Sequence, residues 1–279
     1  MCKLISAAFF RLKKSNIFYG FLLIMGSVGI FRAYTLKIGT LDIGLMDCAP
    51  WLILISGVFV SLFIGTEYSD GTIRNKLVVG HPRLAVYFAS LIVCSVAIVL
   101  IILAYTVPYT IAGLIRGYVL GSKLSVICFY LICEMLMGIA EVSLMLMIVL
   151  LVINKAYSAV ACLILGIAMI FGSAYIYQML EQPKTIESYI SVNEFGVPTE
   201  VEEVLNPNYV DGTVREIMDF IDEALPSSQA ITLNNAFNDI EIGKDSRFPI
   251  PIQFPAYSMA FTVVFMGLGI VLFRKKDIK

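Results

Sequence analysis

Six long apolar runs, at about 17–34, 50–66, 84–113, 124–153, 157–180 and 253–273, are separated by short polar links and one long polar stretch. Within each run the apolar positions follow one another in blocks. A half-buried strand would alternate with a period of two, and an ordinary surface helix would show a stripe every three or four residues. Neither pattern describes these runs, whose lengths lie near the roughly 20 residues a helix needs to cross a hydrocarbon core. The pattern predicts an all-α membrane protein with six transmembrane helices. Runs three and four are about 30 residues each, roughly 45 Å of helix, so they tilt, kink or protrude. Pro108 is the expected break in the third, because its ring removes a donor and frees a carbonyl one turn earlier.

Six crossings put both ends of the chain on one side, and the short links say which. Lys3, Arg11, Lys13 and Lys14 precede the first run, Arg74, Lys76 and Arg83 lie in the 67–83 link, Lys155 in the 153–157 turn, and Arg274, Lys275, Lys276 and Lys279 in the tail. The other side has Arg32, Lys37, Arg116 and Lys123 plus four basic residues in the long polar stretch. Twelve against eight leads to the expectation that both termini are cytoplasmic; the expected setting is a bacterial cell (plasma) membrane.

The chain then divides as follows. Residues 1–16 form an amphipathic interfacial helix, with Ile5, Phe9 and Leu12 on one stripe and Lys3, Lys13 and Lys14 elsewhere; the alternative is a cytosolic extension of the first span. No small-residue cleavage site follows, so the first span is expected to be retained. Residues 17–180 hold helices one to five, 181–250 an extracellular domain, and 251–279 the sixth helix with its basic tail. In 181–250, Thr213-Val-Arg-Glu216 reads as a capping box. Apolar residues follow at helical spacing through Leu225, and Pro226 is a stop. Pro198, Pro207, Pro249, Pro251 and Pro255 cut the rest into short pieces, which suits a small domain packed on the membrane mouth better than a free-standing fold.

Composition sharpens the class. The chain is 59% apolar and 15% charged, against roughly 45–50% and 25% in soluble domains. Its net charge is −1, with acidic residues crowded into 181–245, and no long basic tract suggests nucleic acid as a partner. The six cysteines form no CxxC and no metal-ligand spacing, and Cys94, Cys128, Cys133 and Cys162 fall inside apolar runs as small hydrophobes. No GxxxxGK[ST] is present, so the chain has no P-loop of its own. His81 is the only histidine and lies beside Pro82 in a charged link. These absences predict a protein that is not an enzyme, with no catalytic residues and no cofactor or metal bound by this chain.

The informative link is Glu67-Tyr-Ser-Asp-Gly-Thr-Ile-Arg-Asn-Lys-Leu-Val-Val-Gly-His-Pro-Arg83. It reads as a short amphipathic helix started by Gly71-Thr72, with Ile73, Leu77 and Val78 on one face and Arg74 and Asn75 on the other. Physically that is a rigid lever tied to two membrane helices; the alternative is a plain polar loop. A second span ending in an acidic residue, Gly-Thr four residues on, then a short helix and a proline resembles the type-2 permeases of ATP-binding-cassette exporters. Glu67, Gly71, Thr72 and Pro82 match that pattern, whereas Arg74, Asn75 and Lys76 stand where apolar or acidic residues are usual. The resemblance extends to the surface helix, the six spans and the insertion between the fifth and sixth.

What the resemblance implies is a permease that pairs with a second copy, as a homodimer, and is driven by a separate ATPase subunit. That partner would hold ATP and Mg and dock on the coupling helix 67–82, with Glu67, Asp70, Gly71, Thr72, Ile73, Arg74 and Leu77 as the coupling residues. The cargo would be hydrophobic or amphipathic: a peptide antibiotic, a lipid or a drug-like molecule. Glu134 and Glu141 lie seven residues apart near the middle of the fourth run, and ionisable groups at that depth mark substrate paths, proton relays or interhelix bonds. They are candidates for a substrate path, or for structural hydrogen bonds between helices. The rival function is a membrane-embedded interaction protein whose external domain recruits a partner while no solute crosses.

Overall fold

The apolar runs become six helices long and apolar enough to cross a membrane: Asn16–Thr35, Asp42–Ser69, Arg83–Ile115, Leu124–Leu151, Lys155–Leu180 and Phe254–Lys275. In a lipid core every backbone polar group must be satisfied within its own segment, which is why unbroken apolar sequence is helical there. The computed structural model describes residues 2–36, 40–152, 154–192, 198–242 and 252–276. In chain order the elements are α1 (Cys2–Lys13), α2 (Asn16–Thr35), α3 (Asp42–Leu45), a 3₁₀ turn (Ala49–Trp51), α4 (Leu52–Ser69), α5 (Thr72–Val78), α6 (Arg83–Ile115), α7 (Leu124–Leu151) and α8 (Lys155–Leu180). After these come β1 (Thr185–Val192), β2 (Pro198–Leu205), α9 (Thr213–Ala224), α10 (Pro226–Ile242) and α11 (Phe254–Lys275).

Burial sorts the long helices into two layers. The apolar windows of the second, third and fourth spans are 67%, 61% and 67% buried, whereas those of α2, α8 and α11 are 22%, 17% and 17% buried. Thus α4, α6 and α7 form the interior, and α2, α8 and α11 flank it with broad apolar faces turned outward. Small residues allow the close approaches. Gly29 of α2 lies so near the α6 backbone that an added Cβ would press on the Tyr105 carbonyl and sit 3.3 Å from the Tyr109 nitrogen. Pro108 does not end α6, which runs unbroken from Arg83 to Ile115. Gly26 covers the Ala104 carbonyl that the proline leaves free; a Cβ built there would lie 3.4 Å from that oxygen and 3.8 Å from Pro108 Cγ.

One end of the bundle is basic. Ser15 caps α2 by accepting from the Phe18 amide at 3.4 Å, and α1 and α2 are separate helices. Its buried stripe is Leu4, Ala8 and Leu12, rotated from the expected Ile5, Phe9 and Leu12. Leu4 packs on Ala85, Val86 and Ala89 of α6. Arg83 donates to the Phe273 and Arg274 carbonyls at 2.9 and 3.0 Å, and Lys276 donates to Leu150 O at 3.2 Å. Cations thereby satisfy the orphan carbonyls where α7 and α11 end.

At the opposite end the second span starts earlier than its apolar run of 50–66 suggests. Residues 41–51 fold in as α3 and the 3₁₀ turn because α6 holds them: Tyr105 Oη donates to Gly44 O at 2.7 Å and Tyr109 Oη to Leu41 O at 3.0 Å. Arg116 caps α2 by donating to Ala33 O and Tyr34 O, both at 2.8 Å.

The segment after α8 departs from a purely α-helical reading. β1 and β2 pair antiparallel, with Thr185 opposite Leu205 and Ile186 opposite Val204. The helix expected after Thr213 is present as α9, yet its cap is Gly212 at φ +66°, with no side-chain capping bond, so the capping box does not form. Pro226 does end α9 and also opens α10, since a proline fits the first helical turn where no donor is needed. Part of the expected 181–250 region lies outside the described residues. α10 rests on the bundle: Ser227 shares a hydrogen bond with Ser173 of α8 at 2.8 Å, and Ser258 of α11 donates to Gln229 at 2.7 Å.

Asp222 is fully buried between α9 and α10, where Thr232 Oγ1 donates to its Oδ2 at 3.5 Å. Burial pushes its carboxyl up to about 7, with smaller contributions from Glu223 and Glu181 and opposition from the Thr232 hydrogen bond. Between about pH 4 and 7 the folded chain therefore holds a proton that the unfolded chain releases. Stability from this group is greatest in acid and falls as pH rises to about 7, by on the order of 4 kcal/mol, and is level beyond. Denaturant unfolding at pH 4.5 and 7.5 should show this slope in the native sequence and a flatter one in Asp222→Asn; equal slopes would refute it.

Candidate functional site

The residues singled out around the α4–α6 link converge at the basic end. α4 runs past its apolar part to Ser69 and so includes Glu67; Asp70 is exposed, and Gly71 turns the chain at φ +68°. A left-handed residue there lets α5 start after a two-residue break, with no slack between the helices. The helix of the 67–82 link is thus Thr72–Val78, shorter than the link itself. Ile73 is completely buried, Thr72 and Leu77 are half-buried, and Arg74 and Asn75 are exposed. Val78, expected to share a face with Ile73 and Leu77, is 78% exposed, as is Val79. α5 therefore has one anchor, Ile73, and a free surface of Arg74, Asn75, Val78 and Val79.

Glu67 binds this corner together. Its side chain is 2% exposed; Oε2 accepts from Lys76 Nζ at 2.8 Å, and Oε1 pairs with Arg11. Arg11 also donates to the Phe63 carbonyl at 2.9 Å and to Thr66 Oγ1. A single carboxylate on α4 thus joins α1 and α5, and Tyr68 Oη donating to Leu150 O at 2.7 Å adds the end of α7. Burial, with the Arg11 charge in second place, pulls Lys76 down to about 8, and burial lowers Arg11 from its usual value, opposed mainly by Asp70. Arg11 had no signal in the sequence beyond being basic, since its partner is 56 positions away. Lys76 lies nine residues after Glu67, too far for a helical pair, and only the Gly71 turn brings it back.

Glu134 and Glu141 are not part of that corner. Both sit inside the bundle on α7, 0% and 1% exposed. The Cys48 thiol donates to Glu134 Oε1 at 2.9 Å, linking α7 to the 3₁₀ turn before α4. Glu134 Oε2 and both oxygens of Glu141 have no hydrogen-bond partner among the described residues. Cys48 and its neighbour Asp47 were not visible as site residues, because they precede the apolar run and belong to the span only through the α6 tyrosines. Among the described residues no three His, Cys, Asp or Glu side chains are grouped to hold a metal. No family model matches the chain, and no curated protein matches it in sequence.

Proposed function

We propose that this chain is the permease subunit of an ATP-driven exporter of the type-2 ATP-binding-cassette class, worked by a separate ATPase that docks on α5. The observation that carries the reading is the build of the α4–α5–α6 corner. A seven-residue helix is joined to two membrane helices by links of two and four residues, anchored by Ile73, clamped through Glu67, and bare on the Arg74, Asn75, Val78 and Val79 face. A push on that face moves the ends of α4 and α6 directly, and α1 travels with them through Arg11.

On this reading the basic end faces the cytoplasm, as lysine and arginine bias favours, and ATP with Mg is held by the partner. Two copies pair through an outward apolar face; on α8, Tyr157, Val160, Ile164, Ile167, Phe171 and Tyr175 are exposed at steps of three or four residues. The cargo is hydrophobic or amphipathic. The test is capture of the full chain from its native membranes in mild detergent, with identification of what comes with it. A P-loop ATPase should accompany the native chain and be lost with Arg74→Glu, whose site is exposed. Absence of any nucleotide-hydrolysing companion refutes the reading. A partner retained by the 181–250 segment alone would support an interaction protein instead.

A further inference from the structure

At the end of the bundle opposite α5, a cavity of about 700 Å³ opens between α2, the 3₁₀ turn, α4 and α6. That lies within the roughly 300–1,000 Å³ of small-ligand sites. Its walls are apolar, formed by Met25, Val28, Phe31, Trp51, Ile55 and Tyr105. Phe31 and Trp51 are 68% and 58% exposed, and α2 is a flanking helix, so the opening is reached from the side, where a bilayer lies against the bundle.

The polar groups of the cavity are concentrated around Arg32 and Asp47, which form an ion pair. Each Asp47 oxygen has a partner: Oδ2 accepts from Arg32 Nε and Oδ1 from Asn234 Nδ2, the latter at 3.0 Å. Arg32 is not saturated. Only Nε is used, and the two Nη groups have no partner among the described residues. Arginine carries five donors in a fixed fork suited to phosphate and carboxylate. The cavity therefore offers cationic donors without a protein partner, whereas each oxygen of its carboxylate already has one, beside an apolar wall long enough for a tail. Arg32 is in the last turn of α2, the depth at which a long cationic side chain reaches headgroups while its stem stays in apolar surroundings.

We propose that this cavity binds an anionic amphiphile taken from the surrounding membrane, with its acyl chain against Met25, Val28 and Ile55 and its phosphate or carboxylate on the Arg32 guanidinium. The proposal does not rest on the exporter reading, since binding requires neither nucleotide nor partner.

The single tryptophan of the chain is Trp51, which stands at the mouth of this cavity, so its fluorescence reports on that place in the chain. The purified full chain in non-ionic detergent is titrated with phosphatidylglycerol brominated in its acyl chains, with the equivalent phosphatidylcholine, and with a brominated fatty acid. The anionic probes should quench saturably, with about one bound per chain, and roughly tenfold more tightly than the zwitterionic lipid. The two anionic arms identify whether the site takes a phosphate or a carboxylate. Arg32→Gln should reduce the anionic probes to the level of the zwitterionic one, and Arg32→Lys should keep the preference. Ile55→Phe, which narrows the wall against which the acyl chain lies and leaves the ion pair intact, should weaken all the probes alike and keep the anionic preference, with the fold retained. Equal quenching by anionic and zwitterionic lipids, or a preference unchanged in Arg32→Gln, overturns the proposal.

Discussion

Glu67→Ala will destabilise the folded chain by about 3–5 kcal/mol, the usual result of removing one partner from a buried ion pair. The reason is less the lost attraction than what is left behind. Arg11 and Lys76 are 28% and 17% exposed, and without the carboxylate they face each other as two like charges with little water to screen them. Lys76→Met should cost less, because the Arg11–Glu67 pair remains. Combining Glu67→Ala with Arg11→Leu and Lys76→Met should recover much of the loss, since no stranded charge survives. Unfolding in mild detergent measures all three, and a loss below about 0.5 kcal/mol in Glu67→Ala would show that the clamp does not hold the corner. In an exporter the same variant should uncouple nucleotide hydrolysis from transport, while Arg74→Glu should prevent docking altogether.

Gly29→Ala should cost about 3 kcal/mol, the upper part of the usual overpacking range, although alanine is the better helix former. The added methyl meets the Tyr105 carbonyl and the Tyr109 nitrogen, both backbone atoms of a helix that has no rotamer to change. Gly26→Ala, one turn earlier on the same helix, meets its nearest atom at 3.4 Å and should cost under about 1 kcal/mol. The contrast between the two is the measurement: equal effects would mean that α2 does not press on α6 as described. Gly29 is also three residues before Arg32, so moving α2 off α6 should loosen the 700 Å³ cavity and weaken any ligand held there.

The six spans were legible because a lipid core demands unbroken apolar helix, and that demand is written residue by residue. Their ends were less so. Asp42 and Asp47 lie ahead of the second run in the sequence, but Tyr105 and Tyr109 of another helix fold that stretch into the span. In α5 the Gly71-Thr72 start and the separation of Ile73 and Leu77 from Arg74 and Asn75 were readable from local chemistry; the place of Val78 was not, because a seven-residue helix has too few positions to fix which side its last turn shows. The hairpin of β1 and β2 was missed since acidic residues interrupt its alternation, and α10 because Pro226 was read as a stop when it also begins the next helix. The partners of Glu67 depend on chain crossings that no spacing encodes. Glu134 and Glu141 could be placed within an apolar run and are buried there, but the Cys48 bond that distinguishes them comes from a different span.

The short helix α10 touches three separate parts of the bundle through polar bonds: Ser227 to α8, Gln229 to α11, and Asn234 to the Met46 carbonyl and Asp47 ahead of α4. Any tilt of one of these against another has to stretch a bond at that end, whereas at the basic end the helices are joined by side chains with longer reach. α10 is consequently a brace at this end, one helix whose loss would free α8, α11 and the start of α4 from one another at once.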